Sequence, residues 1–120
     1  MVQGRAAALL DIIPGRTHRH PSAVVADSAR IGMHCHILAH AKIEDNVVIG
    51  HSTTVGMNAL IQKGSRIGGN TMLGAKVIIE QDAVIGSGCQ IKAGTNVPAG
   101  TRIPDGKKVD QTTISLYVSA

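Results

Sequence analysis

Six histidines, His18, His20, His34, His36, His40 and His51, fall between residues 18 and 51, and the rest of the 120-residue chain has none. Imidazole is the side chain that exchanges protons near neutral pH and the commonest metal ligand, so this asymmetry points to chemistry in the first half. His34 and His36 are two residues apart, a spacing that sets both on one face of a strand. With a third imidazole beside them they form a set able to hold zinc and leave a coordination position for water, whose pKa the ion lowers. His40 and His51 stand singly, as a general base does when it takes a proton from a hydroxyl or amine. The competing reading is a solvated surface on which histidines stack by register alone.

The elements that must position them follow from a period of six. Val25, Ile31, Ile37, Ile43, Ile49, Val55, Ile61, Ile67, Leu73, Ile79, Ile85, Ile91, Val97, Ile103 and Val109 are all aliphatic. Four residues after each comes a small or hydroxylated residue from Ala29 to Thr101, and only Lys107 breaks that column. The fourth place of the hexad favours Gly and Asn (Asn46, Asn58, Gly64, Asn70, Gly88), which accept positive φ. Neither a helical nor a simple alternating period explains a strict six. Short strands joined by tight corners do. Three such faces close one coil of about eighteen residues, and coils stack at roughly 4.8 Å as parallel strands.

In that register His18 lies one coil below His36, so His18, His34 and His36 are brought toward one another, while His40 and His51 sit near corners. Hexads trace back to Ile13, with Thr17 in the small slot, although Arg19 interrupts the next aliphatic position. Residues 4–13 are expected as a short helix capping the open end, and Thr113–Val118 as one more strand, forming a C-terminal cap or a contact with a neighbour.

Composition agrees and excludes much. The chain has no Trp, no Phe and one Tyr. Stacking platforms for bases are absent, and the twelve Lys and Arg are scattered from Arg5 to Lys108, so no nucleic-acid partner is expected. No run is long and apolar enough to cross a membrane and no signal peptide opens the chain; a cytoplasmic protein with no membrane partner is expected. Cys35 and Cys89 fall in inward slots three coils apart, as buried thiols unable to bridge.

The period resembles that of the hexapeptide-repeat superfamily of left-handed parallel β-helices over Val25–Val109, and the left hand comes from that resemblance. The segment HPSAVVADSARIG (20–32) is similar to the first coil of many members. An all-β, three-faced solenoid follows, with 1–24 as cap and irregular first coil, 25–109 as the β-helix and 110–120 as C-terminal strand or tail. The superfamily implies a homotrimer with sites between neighbouring coils, acting on a small-molecule substrate.

Two of its enzyme classes compete. VPAGTRIPDGKKV (97–109) and VGMNALIQKGSRIGGNTMLG (55–74) resemble the gamma-class carbonic anhydrases, whose zinc is held by three His shared between subunits. One register places two of that family's ligands on Met57 and Gln62; a shift of one hexad places them on His51 and Gly56, with the third near Leu38 and His40. The resemblance therefore implies a zinc site that is incomplete, or rebuilt from His34, His36, His40 and His51. IEDNVVIGHSTTVG (43–56) resembles the coil of the CoA-dependent sugar acetyltransferases that carries their catalytic His, which would be His51, with His40 as the other corner base. The closing Gly-x-Pro-Ala-Lys of that class is missing, and no long loop interrupts the hexads. Lys63, Arg66, Lys76 and Lys92 are available to the phosphates of acetyl-CoA. A non-catalytic trimeric scaffold is the third reading. Carbonic-anhydrase likeness is the main expectation, acyl transfer the alternative, and catalysis itself is left open.

Overall fold

The computed structural model describes residues 17–118. Within them run sixteen two-residue strands, from His18–Arg19 to Lys108–Val109, in three parallel sheets of six, five and five strands. The sheets are the three faces of a left-handed β-helix of about five coils. Every pairing joins residues eighteen apart: His18 opposite His36, His36 opposite Thr54, and Lys42 opposite Leu60. Face one carries the strands of His18, His36, Thr54, Met72, Gln90 and Lys108. Face two carries those of Val24, Lys42, Leu60, Ile78 and Asn96, and face three those of Arg30, Val48, Arg66, Val84 and Arg102.

Parallel stacking puts like on like, and the core is a set of aliphatic ladders. Ile43 and Ile61 on one face, and Ile49 and Ile67 on another, are all at most 3% exposed. Burying each such side chain is worth roughly 1.5–3 kcal/mol. The small slots have a polar purpose besides fit. Thr53 Oγ1 donates to the Gly68 carbonyl, Thr71 Oγ1 to that of Gly86 and Ser65 Oγ to that of Glu80, at 2.8–2.9 Å and always fifteen residues ahead. The thiols of Cys35 and Cys89 take the same path to Gly50 and Pro104 at 3.1 Å, so both are buried and free of any bridge. Thr95 breaks the rule, and its Oγ1 has no partner among the described residues. Fifteen residues on lies Asp110, whose carbonyl already accepts the Ile114 N–H.

Corners are set by positive φ at every sixth residue from His34 to Gly106, where Asn46 (60°) and Gly64 (75°) are at ease and His34 (62°) and His40 (61°) are also found. A second glycine column has another cause. A Cβ on Gly68 would lie 2.5 Å from the Ser87 nitrogen of the next coil, so a side chain there would push the coils apart.

Three expectations are corrected. Arg19 does not interrupt the first coil: it pairs with Ile37 and the helix begins by His18 rather than Val25. Thr113–Val118 is not a strand; Ile114–Leu116 form a 3-10 helix. The Asp110 side chain accepts the N–H groups of Thr112 and Thr113 at 2.8–2.9 Å, which folds the chain back and lowers Ile114, 5% exposed, onto the end of the core. His34 and His36 do not share a strand, because His34 is a corner residue and only His36 is in the sheet. The expected helix over 4–13 and most of the 1–24 cap lie outside the described residues. Among those described, no helix is long and apolar enough to cross a membrane.

Candidate functional site

The histidines distribute over face one and its two edges. His18 and His36 project outward in register, their rings stacked with centroids 5.4 Å apart and planes 13° from parallel. His34 and His51 stand on the edge between faces three and one, in adjacent coils. His40 stands on the opposite edge, between faces one and two. Within one chain that separation brings no set of zinc ligands together. Among the described residues no three His, Cys, Asp or Glu side chains gather where a metal ion could be held, and His34, His36, His40 and His51 do not converge. No step through zinc follows from this geometry.

The two corner histidines differ in what their rings do. His51 Nδ1 accepts the backbone N–H of Met33, one coil below, at 2.9 Å. The ring lies over Gly32, where a Cβ would sit 2.8 Å from that nitrogen. An Nδ1 that accepts leaves the proton of the neutral ring on Nε2, an assignment made from the hydrogen bond. Asp105, three coils higher on the same edge, does the same work: its Oδ1 accepts the Ser87 N–H at 2.8 Å. His51 is thus a corner cap. His40 is anchored only through its backbone, whose N–H donates to Ser22 Oγ at 2.9 Å. Its ring is exposed and makes no hydrogen bond among the described residues. His20 is held locally, Nδ1 accepting from the Ser22 N–H at 3.1 Å and lying 2.8 Å from Ser22 Oγ.

Above His40 the edge between faces one and two carries several small residues, with exposed Met57, Asn58 and Lys76 among them. Its first corner position reads Ala39, Met57, Ala75, Ala93 in successive coils, and the last position of face one reads Leu38, Gly56, Gly74, Lys92. At the top this edge opens into a depression lined by Met72, Gly74, Gln90, Lys92, Ala93 and Lys108. Apolar groups form most of its floor, and the ammonium groups of Lys92 and Lys108 line it together with the carboxylate residue Asp110. From Lys92 down to His40 is about three coils, or roughly 14 Å at the usual strand spacing. Lys92 was legible as a candidate cation, but Lys108 was not, nor was the apolar edge. The signal for both was the interval of eighteen, which puts Lys108 above Gln90 and Ala93 above Ala75.

The family model of the bacterial transferase hexapeptide (six repeats) matches residues 22–56 and 64–105. No curated protein matches the sequence. Among solved structures, PerB from Caulobacter crescentus in complex with CoA and GDP-perosamine superposes with a TM-score of 0.63 at 22% identity, over 78% of this chain and 53% of that one. The acetyltransferase domain of PglB from Neisseria gonorrhoeae matches with a TM-score of 0.53 at 27% identity, over 76% of this chain and 52% of that one. The same domain in complex with acetyl coenzyme A gives a TM-score of 0.50. A hexapeptide transferase family protein from Anaplasma phagocytophilum shares 18% identity and a TM-score of 0.50, with 79% of this chain and 76% of that one covered. PerB and the Anaplasma protein speak to the fold alone. The chain spans about half the length of PerB and of the PglB domain. None of this supports the carbonic-anhydrase reading, and the alternative has the better backing.

Proposed function

We propose, from the premise that this chain belongs to the bacterial transferase hexapeptide family, that it is a CoA-dependent acyltransferase acting on a small-molecule hydroxyl or amine. The observation that carries this reading is the likeness to the PglB acetyltransferase domain, 27% identical and solved also with acetyl coenzyme A. The edge between faces one and two gives it a physical form. Lys92 and Lys108 meet phosphate oxygens at the depression, and the pantetheine arm lies along Ala93, Gly74, Ala75 and Gly56, with the exposed thioether of Met57 beside it. The thioester then reaches the level of His40.

In this reading His40 is the general base. Its ring is free to accept a proton from the acceptor's hydroxyl or amine as that group attacks the thioester carbonyl, and the CoA thiol leaves. His51, the other candidate, must first give up the Met33 N–H. A trimer, with a neighbouring coil closing the edge into a cleft, is part of the proposal.

Calorimetry with acetyl-CoA and light scattering test it together. Binding that weakens about tenfold or more in Lys92→Glu and Lys108→Glu, in a protein of three times the monomer mass, is the expected result. A monomer without CoA affinity sinks the reading.

A further inference from the structure

Three arginines far apart in the sequence stand in one row on the molecule. Arg30, Arg66 and Arg102 take outward positions of face three, in register through Val48 and Val84. All three are exposed, and none makes a hydrogen bond or ion pair among the described residues. Their intervals of 36 residues are two coils each, so the guanidinium groups recur about every 9.6 Å along the helix axis. Beside the row runs a bare strip of backbone at Gly50 and Gly68. A Cβ on Gly50 would lie 2.5 Å from the Gly69 nitrogen, so side chains are excluded there by the coil above.

A regular, sparse row of cations on a flat face is complementary to a linear anion of the same sparse period. Duplex DNA carries one charge per roughly 1.7 Å, several times too dense to be matched group for group. Single strands need aromatic platforms, and the chain has one Tyr and no Trp or Phe. A bilayer surface would call for interfacial aromatic anchors, which the face lacks, and for more than three basic groups. A glycan fits better. The pyranose unit of an extended β-linked chain advances by close to one rung, so a charge on alternate sugars recurs every second rung. Arginine matches a carboxylate through two parallel hydrogen bonds, which a lysine does not. Val48, 38% exposed, and half-buried Val84 then face the C–H surfaces of the uncharged sugars. We propose that face three binds an acidic polysaccharide bearing one carboxylate per disaccharide, laid along the solenoid axis. The proposal does not depend on acyl transfer, since it uses a different face.

The test compares hyaluronan oligosaccharides, with a uronate on every second sugar, against polygalacturonate, with one on every sugar, using the full chain in calorimetry. Hyaluronan is expected to bind more tightly, and Arg66→Gln to weaken it at least tenfold. The double variant Arg66→Val with Val84→Arg keeps the net charge but breaks the two-rung period, and it should lose affinity as severely. Thermal melts check that it folds; if it does not, Arg66→Gln decides alone. Unchanged affinity in the folded double variant, equal or tighter binding of polygalacturonate, or no glycan binding overturns the proposal. So does light scattering that shows Arg66→Gln dissociating an oligomer, which would make the row a contact between copies.

Discussion

His40 and His51 are both exposed corner residues of neighbouring turns, yet one ring is free and the other is committed to the backbone. The difference arises one coil below. At the first corner position of face three's edge, the Met33 N–H points up at the residue above it, and His51 supplies an acceptor as Asp105 does for Ser87. His40 instead takes the second corner position, where its own backbone N–H needs the acceptor, and Ser22 Oγ supplies it from the coil below while the ring stays uncommitted. A histidine's availability for chemistry is therefore decided by which neighbour already satisfies the corner.

Each half of that comparison can be broken separately. The largest effect belongs to His40→Asn, which keeps a side chain that tolerates positive φ while removing the base. Turnover of acetyl-CoA with an amine acceptor should fall by about 10²–10⁴-fold with an unchanged melting temperature. A smaller loss with His40→Asn than with His51→Asn would reverse the assignment. Next, His51→Ala should destabilise the protein by about 1 kcal/mol, the usual worth of such a hydrogen bond. His51→Asp should restore that stability in chemical denaturation, since Asp105 shows a carboxylate serving there. Failure of the rescue would mean that the ring contributes by something other than its acceptor.

The smallest effect concerns Asp110, another side chain that holds backbone N–H groups. Hydrogen bonds from Thr113 and Thr112 hold the Asp110 carboxyl below its ordinary pKa, with Lys92 adding a favourable charge. A depressed folded pKa means that stabilisation is present above the usual carboxylate range and is lost as pH falls through the folded value. The C-terminal cap should fray in acid before the coils do, seen as a loss of protection at the Thr112 and Thr113 amides relative to their intrinsic exchange rates. Asp110→Asn should remove the pH dependence of that protection, and protection that still falls with pH in the variant would locate the titration elsewhere.

The fold was legible because it repeats. Ile43, Ile61 and Ile79 announce a stacked ladder by type and interval alone, and the near absence of rings follows from an interior that accepts aliphatic side chains only. Deviations were harder to read. Arg19 looked like an interruption because its type is wrong for the slot, although the backbone pairing with Ile37 holds regardless of side chain. Thr113–Val118 alternates like a strand, but Asp110 captures the two amides that would have continued it. Of the site, His40 and His51 were visible as corner residues, but no spacing shows that only one ring is free.

Sequence by itself therefore determined the coil, its corners and its inward columns, since these depend on residue types six and eighteen apart along one chain. Only the tertiary structure decided that the imidazoles of one chain spread over face one and its two edges. It alone decided that the scattered cations Arg30, Arg66 and Arg102 align. Direction and partnership at the surface depend on the coil above and below, and stacking through space is what supplies them.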